Sequence, residues 1–178
     1  MIEGKLVNLR ARELSDVDRM TRWINDREVT RFMGNRYPWS SAAEEAFVRS
    51  TTAAPMAFAD LRFAVETKDG VHIGGTGLHR ASPENRDAEL GIMIGEKAYW
   101  SKGYGTDAVA TLVRFAFEEM NLNRIELHVF GFNARAQAAY GKCGFVEEGR
   151  MREAHYAEGV YSDVVVMAVL REEWAAGG

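Results

Sequence analysis

A single cysteine, Cys143, leaves this 178-residue chain without an internal disulfide, and with no CxxC pair there is no zinc-binding knuckle. No metal is expected, and one unpaired thiol fits a reducing cytoplasm. Long apolar runs are also missing. None approaches the roughly 20 residues that cross a bilayer, and the opening Met1-Ile2-Glu3-Gly4-Lys5 has no apolar signal segment, so neither a membrane nor export is expected. Nor is there an excess of positive charge. The 22 Lys and Arg against 26 Asp and Glu leave a formal net charge of -4. Without a Lys/Arg run this argues against a nucleic-acid partner held on a basic face, so a polyanionic ligand needs a local site. Proline is scarce, and no linker, repeat or low-complexity segment divides the chain. Residues 1–178 read as one domain, with only the final Ala-Ala-Gly-Gly expected to fray.

What is present is a sequence of clear periodicities. Residues 5–12 alternate as a strand does, with Val7, Leu9 and Ala11 on one side. Ser15 is placed to cap a helix to about Asn25 that carries Val17, Met20, Trp23 and Ile24, and a second helix begins near Ser40 or Ser41. Residues 62–67, the turn Lys68-Asp69-Gly70 and residues 71–80 predict a hairpin, followed by a strand over 87–94. A long amphipathic helix over 105–120 and a strand over 124–130, with Ile125, Leu127 and Val129 facing one way, come next. Asn133 caps a short helix to Lys142 that Gly144 closes in the left-handed conformation. Strands over 145–156 and 160–170 complete an α/β order β-α-α-β-β-β-α-β-α-β-β.

Two features carry chemistry. The first is Trp100-Ser101-Lys102-Gly103-Tyr104-Gly105-Thr106, a glycine-rich turn feeding the long helix. Gly103 and Gly105 let backbone approach a ligand, and the unpaired first-turn amides at the positive end of the helix dipole favour a phosphate or pyrophosphate. The second is Asn133 with Tyr140, seven residues apart and so on nearly one helical face, between small alanines that admit a thin ligand. Gly103-Tyr104-Gly105-Thr106-Asp107-Ala108 also reads as a dinucleotide fingerprint, GxGxxA, with Glu126 about 20 residues on. That motif should follow a strand at once, whereas residues 95–102 intervene, and the flanking hairpins are wrong for a doubly wound sheet. A Walker loop fails because Lys102 precedes the glycines.

Taken together, the Lys102–Thr106 loop after Glu89-Leu90-Gly91-Ile92-Met93-Ile94, the Asn133-Ala134-Arg135-Ala136 and Tyr140-Gly141-Lys142-Cys143-Gly144-Phe145 segments, and the element order resemble the GNAT N-acetyltransferases. The resemblance is to the branch of ribosomal-protein N-terminal and diamine acetyltransferases. It implies a mixed, mainly antiparallel twisted sheet flanked by helices, with acetyl-CoA lodged where central strands splay. It further implies that the backbone of Ile92, Met93 and Ile94 binds the pantetheine and acetyl groups. The segment Lys97, Trp100, Ser101, Lys102, Gly103, Tyr104, Gly105 and Thr106 would wrap the pyrophosphate, and Asn133 would meet the pantetheine arm. Tyr140 corresponds to the tyrosine that protonates the departing thiolate. The family's loop usually opens with Gln or Arg where this chain has Trp100, which removes one phosphate donor and leaves the main-chain amides. An alkyl ammonium must lose a proton before attack; Glu89 is the first candidate base, with His79, His128 and His155 as alternatives. Cys143 reads as packing. The implied acceptor is a primary amine, either a protein N-terminus or a small molecule such as a polyamine, amino acid or amino sugar, in a pocket shaped by residues 27–39 and the hairpin around Glu158. A homodimer is compatible with the resemblance. A CoA-binding module without turnover is the competing class.

Overall fold

Alternation of apolar residues builds one sheet. In the computed structural model, which describes residues 1–53 and 55–177, strands β1 (Ile2–Glu3), β2 (Val7–Ala11), β3 (Asp60–Thr67), β4 (His72–Ser82), β5 (Asp87–Ile94), β6 (Arg124–Phe130), β7 (Val146–Ala157) and β8 (Val160–Leu170) lie in the order β1-β2-β3-β4-β5-β6-β8-β7. Every neighbouring pair is antiparallel except β5 and β6. Helices α1 (Val17–Ile24), α2 (Arg27–Thr30), α3 (Ser41–Thr52), α4 (Tyr104–Glu118), α5 (Ala134–Gly141) and α6 (Arg171–Ala176) flank it. None of the described helices is long and apolar enough to cross a membrane.

The periodic segments fold as their patterns predict, and the differences sit at short elements. Strand β1 and helices α2 and α6 are too short to leave a period in the sequence. Of the tail expected to fray, Ala175 and Ala176 belong to α6; Gly178 lies outside the described residues. Ser15 is not a helix cap. It sits inside a 3₁₀ turn, Leu14–Asp16, because the Asp16 carboxylate closes that turn by accepting the Glu13 N–H at 2.9 Å, and α1 starts only afterwards. Ser40, by contrast, caps α3 through the Ala43 N–H.

Two apolar clusters hold the layers. Val109, Leu112, Val113 and Ala116 of α4 pack with Leu9, Val65, Ile73, Leu78, Leu90, Ile125 and Leu127 of the sheet. Val17, Met20, Trp23, Val29 and Val48 form the smaller cluster beneath α1, α2 and α3. Strand β5 is shared: Ile92 and Ile94 pack on the α4 side and Met93 on the other, as a period of two requires. Just past β5, Gly95 is pressed against the buried Trp23 indole, and a Cβ there would overlap the ring. Gly95→Ala is therefore expected to lower stability by about 1–3 kcal/mol; an unchanged urea midpoint would remove Gly95 from this role.

The site depends on where pairing stops. Strands β5 and β6 are in register only from Asp87–Glu89 against Arg124–Glu126. Beyond that point β5 stays with β4 through Ile94, while β6 follows β8 to Phe130. The two parallel strands part, leaving residues 90–94 of β5 with an open edge.

Candidate active site

Gly103 caps α4 with φ of +89°, a left-handed value that suits glycine, and it has no side chain to occupy the helix mouth. Among the described residues nothing accepts the N–H groups of Tyr104, Gly105 and Thr106. The first-turn acid, Asp107, does not neutralise this end from the cavity side. Its carboxylate instead accepts the N–H groups of Lys5, Leu6 and Val7 at 3.1, 2.7 and 3.0 Å, pinning the β1–β2 turn. The helix end thus keeps free donors and a positive dipole for an anion.

A cavity of about 870 Å³ runs from this helix end along the open edge of β5. Ile92, Met93, Ile94, Trp100, Ser101, Gly103, Gly105, Thr106, Asn133, Tyr140 and Glu89 all line it, so the structure brings these sequence candidates into one space. Lys97, Lys102 and Tyr104 do not. Lys97 Nζ pairs with Asp26 Oδ2 at 2.8 Å and with Glu28, tying its charge to α2, and the Tyr104 ring packs edge-on against Tyr99. Trp100 donates its indole N–H to the Ile94 carbonyl at 2.6 Å, and the Arg135 guanidinium lies 4.4 Å above its ring. It fastens the loop to the end of β5.

Helix α5 carries the other wall. Asn133 Oδ1 caps it by accepting the Ala136 N–H at 3.2 Å, and Gly144, with φ of +90°, closes it. The Tyr140 hydroxyl makes no hydrogen bond within the described residues, and burial, with Cys143 nearby, pushes its pKa up to about 12. It stays a protonated donor throughout the physiological range. Cys143 is itself pushed up to about 11 by burial and points its Sγ at the Thr106 carbonyl, 3.5 Å away, so it is not a thiolate nucleophile.

Three acid–base groups line the far side. Glu89 is ion-paired to Arg80 and lies 3.6 Å from His128 Nδ1. His79 was one of three alternatives on sequence; the structure adds its partner, Asp60, whose Oδ1 is 2.7 Å from His79 Nδ1 while Oδ2 takes the Arg62 Nε–H at 2.9 Å. The ring lies over Gly77 and Gly91, where a Cβ would come within 3.4 and 3.3 Å of Nε2. His155 is elsewhere, stacked on Phe130 and lining a second cavity of about 700 Å³ with Tyr156–Glu158 and Arg27, Arg31 and Arg36. The hairpin around Glu158 lines only that second space, whereas Val29, Phe32, Met33 and Trp39 reach the first. The sequence carries no signal for Asp60, Arg12 or Glu44, since each lies at an element end or within a helix with no motif around it.

The parted strands and the bare helix end fit a phosphorylated thioester carrier, and the fold defines an acyltransferase that draws on coenzyme A. More narrowly, the chain belongs to the GNAT acetyltransferase family: residues 7–146 match the model of the acetyltransferase (GNAT) domain. The enzyme is an N-acetyltransferase whose acetyl donor is acetyl-CoA. It is 30% identical over 95% of both chains to the uncharacterized N-acetyltransferase p20 of Bacillus licheniformis. It is 37% identical to the putative ribosomal N-acetyltransferase YdaF of Bacillus subtilis over 60% of this chain and 57% of that one. The crystal structure of spermidine N-acetyltransferase from Vibrio cholerae in complex with CoA and spermine superposes with a TM-score of 0.85 at 28% identity, covering 97% of this chain and 99% of that one.

Proposed function

We propose that the acetyl group passes directly to a primary amine inside the 870 Å³ cavity, without an acyl-enzyme. The observation that carries this reading is that the open β5 edge, the unpaired amides of α4 and the Tyr140 hydroxyl meet in that one space. Acetyl-CoA supplies the activated thioester. The main chain of Ile92, Met93 and Ile94 aligns the acyl end. Amides of Gly103, Tyr104, Gly105 and Thr106, with Ser101 alongside, receive the pyrophosphate. The Asn133 amide NH₂, left free by a cap that uses only Oδ1, faces the pantetheine arm. Trp100 stiffens the loop, Lys102 adds its positive field, and Lys97, its charge met by Asp26 and Glu28, anchors the segment to α2. Tyr140 delivers the proton to the departing sulfur.

The proton of the attacking ammonium goes to His79 in this reading. Asp60 Oδ1 sits at Nδ1, which leaves Nε2, over Gly77 and Gly91, as the nitrogen turned to the open β5 edge. Glu89, the first candidate from sequence, is the control because its carboxylate already answers Arg80. His79→Gln is expected to lower kcat/KM by about 10²-fold and Glu89→Gln by clearly less. The reverse order returns the role to Glu89. The acetyltransferase reading itself is tested by free CoA thiol released in step with N-acetyl product across a panel of primary amines. A panel with acetyl-CoA binding and no thiol release would leave a CoA-binding module. The relatives' names cover both a ribosomal and a polyamine acceptor. A peptide N-terminus and a small amine are both served by an amine-accepting cavity. The cytoplasm and a homodimer belong to the same reading, supported by the lone cysteine and the family resemblance respectively.

A further inference from the structure

Arg12, one residue past β2, has five side-chain N–H donors, and among the described residues none of them has an acceptor. Arg12 lines the cavity with its Nη2 beside Gly75, makes no hydrogen bond or ion pair within the described residues, and has an Nη1 sealed from solvent without an acceptor. Arg10, two residues earlier, shows the usual arrangement, held by Asp16 and Glu66 at 2.8 and 2.6 Å. Burial and the charge of Arg62 make protonated Arg12 less favourable than an ordinary arginine. A guanidinium N–H removed from water and left without an acceptor is costly unless something completes it. Glu44 of α3, which is buried and lines the same cavity, stays beyond ion-pair distance and makes no side-chain hydrogen bond within the described residues, so it contributes field and no contact. Arg62 is already engaged by Asp60.

The neighbouring glycines set a spacing. A Cβ at Gly75 would come within 3.1 Å of Arg12 Nη2, and the corresponding atoms of Gly77 and Gly91 would meet His79. Gly75 and Gly77 are two residues apart on β4, hence on one face and about 7 Å apart. An amine at His79 and an anionic oxygen at Arg12 span that distance when a short carbon link and a hydrogen bond at each end are included. Phe47 covers both arginines, 6.0 Å from Arg12 and 5.2 Å from Arg62.

We propose that the acceptor is a small amine that also carries a carboxylate, of the amino-acid class, and that Arg12 binds that carboxylate as a bidentate partner. This rests on the acetyltransferase reading and narrows its substrate. A polyamine would instead bring several positive charges to a wall holding Arg12 and Arg62, with Glu44 its one unpaired acid.

The test uses matched pairs that differ only at the carboxylate: a diamino acid against its decarboxylated diamine, and an amino acid against its amide. Thiol release should favour the carboxylate member of each pair by at least about 10-fold in kcat/KM. Arg12→Gln should raise KM for that member by about 10- to 100-fold and pull the ratio within each pair toward one, with Arg12→Lys intermediate. The same pairs are read independently as melting-temperature shifts of the CoA-saturated protein, so binding is scored even for a variant with slow turnover. Thiol release with diamines or spermidine in preference to amino acids overturns the proposal while leaving the acetyltransferase intact. So does a loss of acceptor binding in Glu44→Gln that Arg12→Gln does not share, because the group held there would then be cationic. Silence of every amine in the thiol assay would instead strike the acetyltransferase reading, with the melting shifts still deciding between carboxylate and amide.

Discussion

Tyr140→Phe lowers kcat by about 10²- to 10³-fold while KM for acetyl-CoA moves by less than about twofold, as expected for a group acting in the transition state alone. The reasoning starts from its surroundings. The hydroxyl has no partner among the described residues, so removing it breaks no hydrogen bond there, and the ring keeps its contact with Phe145, 6.0 Å between centroids. Folding should therefore survive unchanged. What is lost is a proton source, one that burial keeps protonated to about pH 12. Cys143, the neighbouring thiol, is turned to the Thr106 carbonyl, and among the described residues it does not line the cavity as Tyr140 does. Steady-state kinetics with a saturating amine would decide the matter, and an unchanged kcat would remove Tyr140 from the chemistry.

The second large effect concerns stability. Asp16 is 4% exposed. It binds Arg10 through two contacts of 2.8 Å, takes the Glu13 N–H, and has His72 Nδ1 3.0 Å away. This carboxylate joins the end of β2 to the start of α1, and so positions the helices over the acceptor side of the sheet. Asp16→Ala should cost about 3–5 kcal/mol, the penalty for leaving one partner of a buried pair uncompensated, though Glu66 still meets Arg10. Burial by itself would raise the acidity constant's pKa, but the Arg10 hydrogen bonds, His72 and the Glu13 amide outweigh it and hold the folded-state value well below the ordinary carboxylate range. The unfolded chain then binds more protons in that acidic window, so the stabilisation is complete above the unfolded value and is lost as pH falls below it. Urea midpoints followed from neutral to acidic pH should fall for the wild type and much less steeply for Asp16→Ala. Parallel curves would show that another group governs acid unfolding.

Residues with a repeating environment were legible in advance. Strand β6 and helix α5 needed only local information, because burial on one face imposes a period of two or 3.6 and because Asn133 and Gly144 mark the helix ends through their own backbone chemistry. The turn at Gly103 was legible for the same reason: glycine in a left-handed cap is a local requirement. Ser15 is a good cap by residue type, but it falls inside the 3₁₀ turn, whose Asp16 carboxylate takes the Glu13 N–H and draws Arg10 and His72 to it, contacts that no local pattern reports. The family resemblance puts Lys97 in the segment around the pyrophosphate, and the sequence says nothing of its ion pairs. Its actual partners, Asp26 and Glu28, are about 70 residues away along the chain, at a sequence distance no local pattern reports.

By itself the sequence determined the sheet-forming segments, the bare helix mouth after Gly103 and the pairing of Asn133 with Tyr140 on one face, since each follows from backbone geometry and the spacing of neighbours. Only the tertiary structure decided that β5 and β6 separate after Glu89, that Asp60 stands behind His79, and that Arg12 is left with unused donors in the cavity. Those are outcomes of long-range register and desolvation, which depend on how distant segments pack and leave no periodic trace along the chain.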